Sequence, residues 1–370
     1  MGREYSANEP VEHQVIDRIV DLFRTYDVEM VRSSCSPIHE QLAIRIPGRR
    51  RDGITLLESH VDTVPADDWG PSAFQPRIDG TLLFGRGACD DKGPLTSMIL
   101  AVCEILETRI TPPTDIVLLC AGDEEYAQTG IRSYVNTMPP LVRGVFGEPT
   151  SSIPVLQHKG TVRWDIVVRG RSVHSSRPEL GIDAIRGAIA IYSWIDQWQA
   201  ELRKLFQSEL LTGPSICVTM LQGGRTRNAV ADECRLSVDF RVTPGMDPEQ
   251  SRKDLVAALD RWTASTHAPW IIAHTEPQVT TPALATSLSD PFSHAALAIC
   301  RRELGRDDVQ FMGAPYGTDA AWVSSICPAI VLGPGCIDYA HAIDERIDLN
   351  DVVRCARIYR DIVMSELPRS

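Results

Sequence analysis

The chain has 370 residues, 49 acidic against 37 basic, giving a formal net charge of -12, and hydrophobic residues make up 43% of it. That length exceeds one ordinary core and predicts two domains, with enough apolar side chains to fill both. The acidic balance argues against nucleic acid or an anionic membrane as the main partner and leaves a small solute.

The opening residues 1–13 are polar and acidic, and later apolar runs such as 116–121 are far too short to span a bilayer, so a soluble, cytoplasmic protein is expected. The ten cysteines show no CxxC pair and no secreted-type spacing, which predicts mostly buried free thiols. Cys89 stands apart because it adjoins the densest acidic motif.

Alternating strands and helices follow. Residues 54–58 form a short apolar strand, 95–106 carry helical spacing, 115–121 form a strand apolar for most of its length, and 142–147 form another. Polar residues come directly after each strand: Ser59-His60-Val61-Asp62, then Gly122-Asp123-Glu124-Glu125, then Glu148-Pro149-Thr150. Ligands of open α/β sheets bind outside such carboxyl ends.

The pattern changes at Thr161. Residues 162–168 alternate, 182–205 read as helix, 215–221 and 233–242 as strands, 248–262 as helix and 270–274 as strand, which is the split βαβ order. A helix over 291–304, a strand over 328–332 and a terminal helix over 349–366 resume the first pattern. The fold class is therefore α/β, with one discontinuous domain over 1–160 and 276–370 and a ferredoxin-like domain inserted over 161–275.

His60 and Asp62 stand two apart at a strand end, so both can face one side. His60 suits a zinc ligand, and Asp62 suits a partner for its second ring nitrogen, although a lone His-x-Asp is more often a capping arrangement. In Gly85-Arg86-Gly87-Ala88-Cys89-Asp90-Asp91-Lys92-Gly93, two acids precede a helix; they read either as a helix cap or as a carboxylate bridging two cations. One glutamate of Glu124-Glu125 can coordinate a cation while its neighbour works on water. Glu148 ends the next strand, and His341 follows Gly333-Pro334-Gly335. Together His60, Asp90, Glu125, Glu148 and His341 are enough for two mixed nitrogen and oxygen sites sharing Asp90.

The segments SHVDTVP at 59–65, GRGACDDKG at 85–93, GDEE at 122–125, FGEPT at 146–150, HKG at 158–160, and LGPG with AH between 332 and 341 resemble the dinuclear-zinc family of acetylornithine deacetylase, succinyl-diaminopimelate desuccinylase, aminoacylase, carnosine dipeptidase and carboxypeptidase G. The resemblance runs in order along nearly the whole chain. It implies a mixed-sheet zinc-peptidase catalytic domain and an inserted dimerisation or lid domain. It makes Asp90 the bridge, His60 and Glu148 the other ligands of one metal, Glu125 and His341 those of the second, Glu124 the general base, and Asp62 the orienter of His60. It also implies that His174 enters a partner's active site to stabilise the oxyanion, that Asn228 lies near the scissile group, and that Arg241 holds a substrate carboxylate. Many relatives have glycine before that histidine where this chain has Val173, which puts the loop geometry in question. Without the resemblance, His174 reads as a loop histidine, Asn228 as a turn residue and Arg241 as a strand surface charge.

The expected reaction is attack of water on an amide carbonyl with Glu124 as base. The cofactors expected are two divalent ions, most readily Zn2+, with Co2+ or Mn2+ as alternatives. FGEPT, HKG and LGPG look most like acetylornithine deacetylase and favour an N-acyl amino acid. GRGACDDKGP looks more like the dipeptidases, because deacetylase relatives more often carry methionine at the position of Asp91. A homodimer, no nucleic acid and no membrane complete the expectation. An inactive metal-dependent binding protein is the non-enzymatic alternative.

Overall fold

The computed structural model describes residues 12–137 and 140–366. All but the last two residues of the polar opening stretch lie outside the described residues. The chain divides into two compact units, one of Met1–Leu156 with Thr286–Gly313 and Thr318–Ser370, the other of Gln157–Ala285 with Ala314–Gly317.

In the first unit the strand Arg50–His60 runs between Thr114–Ala121 and Leu141–Phe146 and parallel to both, and Ala329–Val331 adds a further parallel strand beside Leu141–Phe146. Glu40–Ile46 and Glu29–Ser34 extend the opposite side antiparallel, so the sheet is mixed. Thr114–Ala121 is buried along its whole length, as is Arg50–His60 from Gly53 onward. Burial on both faces explains their nearly continuous apolar sequence. The helices Lys92–Thr108 and Leu349–Met364 pack together, burying Met98, Val102 and Ile105 on one and Cys355, Ile358 and Tyr359 on the other.

Arg143 lies fully buried in this unit. Its Nε donates to Thr55 Oγ1 at 2.9 Å and its Nη2 to the carbonyls of Val363 and Ser365 at 3.1 and 3.0 Å, so it satisfies the carbonyl end of the last helix from within the sheet. Burial pulls its pKa down to about 10.

The second unit has strands in the order Ser215–Gly223, Glu233–Val242, Gly160–Arg169, Ile271–His274, each neighbour antiparallel. Val162, Trp164, Ile166 and Val168 alternate inward on one central strand, and Cys234, Leu236, Val238, Phe240 and Val242 on the other. They meet Ile191 and Ile195 of helix Ala184–Leu205 and Leu255 and Leu259 of helix Pro248–Ser265. Both helices start on aspartate caps: Asp183 accepts from Ile185 N and Asp247 from Gln250 N. Strand order and helix placement are those of the ferredoxin-like plan.

Candidate metal centre

Three of the five ligand candidates stand at or just after the end of a strand. Arg50–His60 ends on His60, Thr114–Ala121 leads into Glu124 and Glu125, and Leu141–Phe146 leads into Glu148. Asp90 precedes the helix Lys92–Thr108, and His341 follows the short turn Ile337–Tyr339. Gly87, at φ 83°, brings its loop so close that a Cβ would lie 2.9 Å from the Thr63 side chain.

Asp90 faces both histidines. Its Oδ1 is 3.0 Å from His60 Nε2, and its Oδ2 is 3.2 Å from His341 Nε2, which in turn lies 3.3 Å from Glu125 Oε2. Ligand atoms of His60, Asp90, Asp91 and Glu148 lie within 4.8 Å of one another, as do those of Asp90, Glu125 and His341. The two groups share Asp90. Each carboxylate oxygen is turned to a different histidine, which is the arrangement a carboxylate bridge between two cations needs.

Asp62 lies behind these candidate ligands. Its Oδ1 lies 3.3 Å from His60 Nδ1, and its two oxygens accept from the backbone amides of Glu124 and Glu125 at 3.2 and 3.1 Å. One carboxylate thus holds the loop of the two glutamates and lies beside the imidazole. Glu125 Oε1 accepts from Val64 N at 3.0 Å, leaving Oε2 toward His341.

Burial, added to by the charge of neighbouring acids and only partly offset by His60, pushes the carboxyls of Glu124 and Glu148 well above the usual range and that of Asp91 up to about 8. Asp90 is buried as well, but hydrogen bonds from His341 and His60 outweigh the burial and hold its carboxyl below the usual range. Hydrogen bonds to Asp90 and Glu125 raise His341 to about 10. Converging carboxylates and imidazoles of this kind are a donor set that fits two divalent cations.

Several contributors were not among the expected site residues. Asp91 Oδ2 accepts from Ser59 Oγ and, at 3.2 Å, from His60 N. Glu345, fully buried, accepts from the amides of Cys89 and Asp90 at 2.9 and 3.0 Å and pairs with Arg86 at 2.6 Å. Arg86 also donates to the His341 carbonyl at 3.3 Å. Asp319 is a further buried acid whose carboxyl burial pushes up to about 8. An acid within Gly317-Thr318-Asp319 beside an apolar run was the available clue.

His174, Asn228 and Arg241 belong to the second unit. His174 bridges to Ala229, and Ser175 N donates to Asn228 O at 2.9 Å, so the first two lie on adjoining segments. Ser176 N donates to His174 Nδ1 at 3.2 Å. A backbone amide only donates, so the neutral ring carries its proton on Nε2. Val173 accepts from Val230 N at 2.9 Å and is not among the residues with positive φ, so its branched side chain meets no left-handed backbone. Arg241 is held by Asp239, with Nε at 2.8 Å from Oδ1 and Nη2 at 3.2 Å from Oδ2.

The model of peptidase family M20/M25/M40 matches residues 56–365. An acetylornithine deacetylase from Proteus mirabilis (strain HI4320) is 30% identical over 305 residues, covering 80% of this chain and 75% of that protein. A tripeptidase from Staphylococcus aureus shares the fold at TM-score 0.77 and 19% identity, covering 96% of this chain and 93% of the other. Human carnosine dipeptidase 1 does so at TM-score 0.72 and 14% identity, covering 97% and 92%. With two ligand groups joined through Asp90, these matches lead to one conclusion: the chain belongs to peptidase family M20/M25/M40 and is a dinuclear metallohydrolase.

Proposed function

We propose that this hydrolase cleaves the amide bond of an N-acyl amino acid, as the name of its 30%-identical relative suggests, and that Zn2+ is its metal. The observation that carries the reading is Asp90, with one oxygen toward His60 and the other toward His341. His60, Glu148 and Asp90 would hold one ion, and Asp90, Glu125 and His341 the other. When bound, such ions polarise a carbonyl and make a water more acidic.

The chain's own residues do the rest. Glu124 takes a proton from the attacking water and passes it to the leaving nitrogen as the C–N bond breaks; its buried carboxyl, held well above the usual range, is suited to carrying that proton. Asp62 holds His60 and the glutamate loop in place. His174, with Nε2–H free to donate, stabilises the developing oxyanion in a partner subunit, while Asn228 lies near the scissile group and Arg241 receives a carboxylate. The second unit serves as the dimerisation or lid domain. In support, its edge strand Ser215–Gly223 leaves Met220 and Leu221 exposed, as Ile189 and Tyr192 are on the helix Ala184–Leu205.

A second reading, a dipeptidase or related exopeptidase, is favoured by Asp91, which is buried behind His60 where a methionine would supply no acceptor. Release of primary amine from a panel of N-acetyl amino acids and dipeptides, with zinc, manganese or cobalt supplied, separates the two. Glu124→Gln should keep both metals and lose nearly all turnover; a fully active variant would remove Glu124 as the base.

A further inference from the structure

Gln128 has no assigned role, yet its geometry is costly. It is a non-glycine residue at φ 56°, in the left-handed region, and its side chain is buried. Such a conformation persists only where the surroundings impose it, and it clusters at working sites. The backbone is held by the Gln128 amide donating to Asp123 O at 2.6 Å. That turn aims the side chain at Glu124: Gln128 Nε2 lies 3.1 Å from Glu124 Oε1.

The direction of this hydrogen bond is fixed from the far side. Trp322 Nε1 lies 2.9 Å from Gln128 Oε1, and an indole nitrogen only donates. The Gln128 oxygen must therefore face Trp322, and its NH2 must face Glu124. Trp322 is itself clamped, with the Arg132 guanidinium 4.8 Å from its ring centroid, at the end of the turn Asp319–Trp322 that Thr318 caps.

We infer that Gln128 is a positioning residue that gives the two oxygens of Glu124 different duties, with Trp322 setting the polarity of the amide. Oε1 is occupied by the Gln128 NH2, while the Asp62 carboxylate holds the Glu124 backbone amide. Oε2 is the oxygen left to exchange a proton with water and then with the leaving nitrogen. The inference rests on Glu124 being the base, as proposed above.

The test uses the full-length, metal-loaded protein and the substrate that turns over fastest in the amine-release panel. Gln128→Met keeps the length and removes both the donor to Glu124 and the acceptor of the Trp322 indole. Losing the hydrogen bond to Glu124 should lower kcat about ten-fold, with KM and two-metal stoichiometry unchanged. Trp322→Phe leaves the amide free to turn and should lower kcat about three-fold, and the double variant should be no slower than Gln128→Met, since the two act in series. In the Glu124→Gln background, Gln128→Met should have no further effect on the residual rate. The indole N–H resonance assigned to Trp322 by Trp322→Phe should move in Gln128→Met, a readout independent of turnover. If Gln128→Met does not fold, the Trp322→Phe loss and its absence in the Glu124→Gln background decide the matter. Full kcat in Gln128→Met, a loss expressed in KM or metal content, or the same loss without Glu124 would each overturn the inference. An active Glu124→Gln enzyme would instead overturn the assignment of the base.

Discussion

Replacing Glu345 by glutamine changes one oxygen to an amide nitrogen in a fully buried pair. The Arg86 side chain is 4% exposed and that of Glu345 is fully buried, with 2.6 Å between them. Glutamine retains one oxygen for the amides of Cys89 and Asp90, which both donate to Oε1, but must then turn its NH2 toward the guanidinium. An orphaned buried charge of this kind costs about 3–5 kcal/mol. The Trp69 ring, 5.6 Å from Arg86, and the His341 carbonyl at 3.3 Å still receive the cation and favour the lower end, near 3 kcal/mol. Urea unfolding of the metal-stripped protein, with hydrogen exchange of the 85–98 segment to localise the effect, measures the loss. The double variant Arg86→Met/Glu345→Gln removes the orphaned charge and should be more stable than Glu345→Gln alone. A single-variant loss below about 1 kcal/mol, or a double variant less stable than the single, would refute the reasoning.

Asp90→Ala should weaken binding at both metal positions, so elemental analysis after dialysis should fall from two ions per chain to fewer than one; one tightly held ion in wild type, indifferent to Asp90, would contradict the shared ligand. In the metal-free protein His341 sits above its ordinary 6.5, at about 10, through hydrogen bonds to Asp90 and Glu125. Its contribution to stability is therefore complete below pH 6.5 and lost as pH rises through about 10, and His341→Asn, which tolerates the residue's φ of 61°, should flatten that decline in pH-dependent unfolding. Metal ligation requires the neutral ring, so calorimetry at pH 7 in buffers of different ionisation enthalpy should detect proton release, and its absence would argue against His341 as a ligand. Arg241→Lys keeps the charge but loses the fork, and should impair N-acyl amino acids more than their neutral amides; equal losses would leave Arg241 only its pairing with Asp239. Mixing Glu124→Gln with His174→Ala chains should restore activity in heterodimers, whereas an active monomer would return His174 to its own chain.

The elements that read clearly were those whose burial pattern is local. Thr114–Ala121 is sheathed on both faces and shows as an uninterrupted apolar run, and Glu233–Val242 alternates because one face meets helices and the other does not. The helix Pro291–Leu304 spans the expected residues, capped by Asp290 at its start and closed by Gly305 after its end. The helix His13–Phe23 and the strands Glu29–Ser34 and Glu40–Ile46 were not among the expected elements. Glu29–Ser34 is an exposed edge strand, and its order comes from tertiary pairs such as Arg32 with Glu40. The same division holds at the site. Acids directly after apolar strands are visible one segment at a time. Gln128 depends on a tryptophan 194 residues later, and the Asp90 amide on a glutamate 255 residues away. No window along the chain contains both partners, so such contacts cannot be read from local pattern.

The buried acids bear on stability as well as chemistry. Glu58, Asp91, Glu124, Glu148 and Asp319 are held above their ordinary range, first by burial and then by one another's charge or that of neighbouring acids. Without cations the fold must keep protons on them or accept their repulsion, and either choice lowers the margin by which the first unit is folded. Divalent ions that bind the native chain and not the unfolded one recover that margin by mass action, about 2.7 kcal/mol at a hundred-fold excess over Kd. The second unit contributes none of these acids, so metal addition should raise protection from hydrogen exchange in the first unit's strands and leave Gly160–Arg169 and Glu233–Val242 unchanged. Equal protection of both units would mean that the ions stabilise the protein by some route other than relieving this cluster of acids.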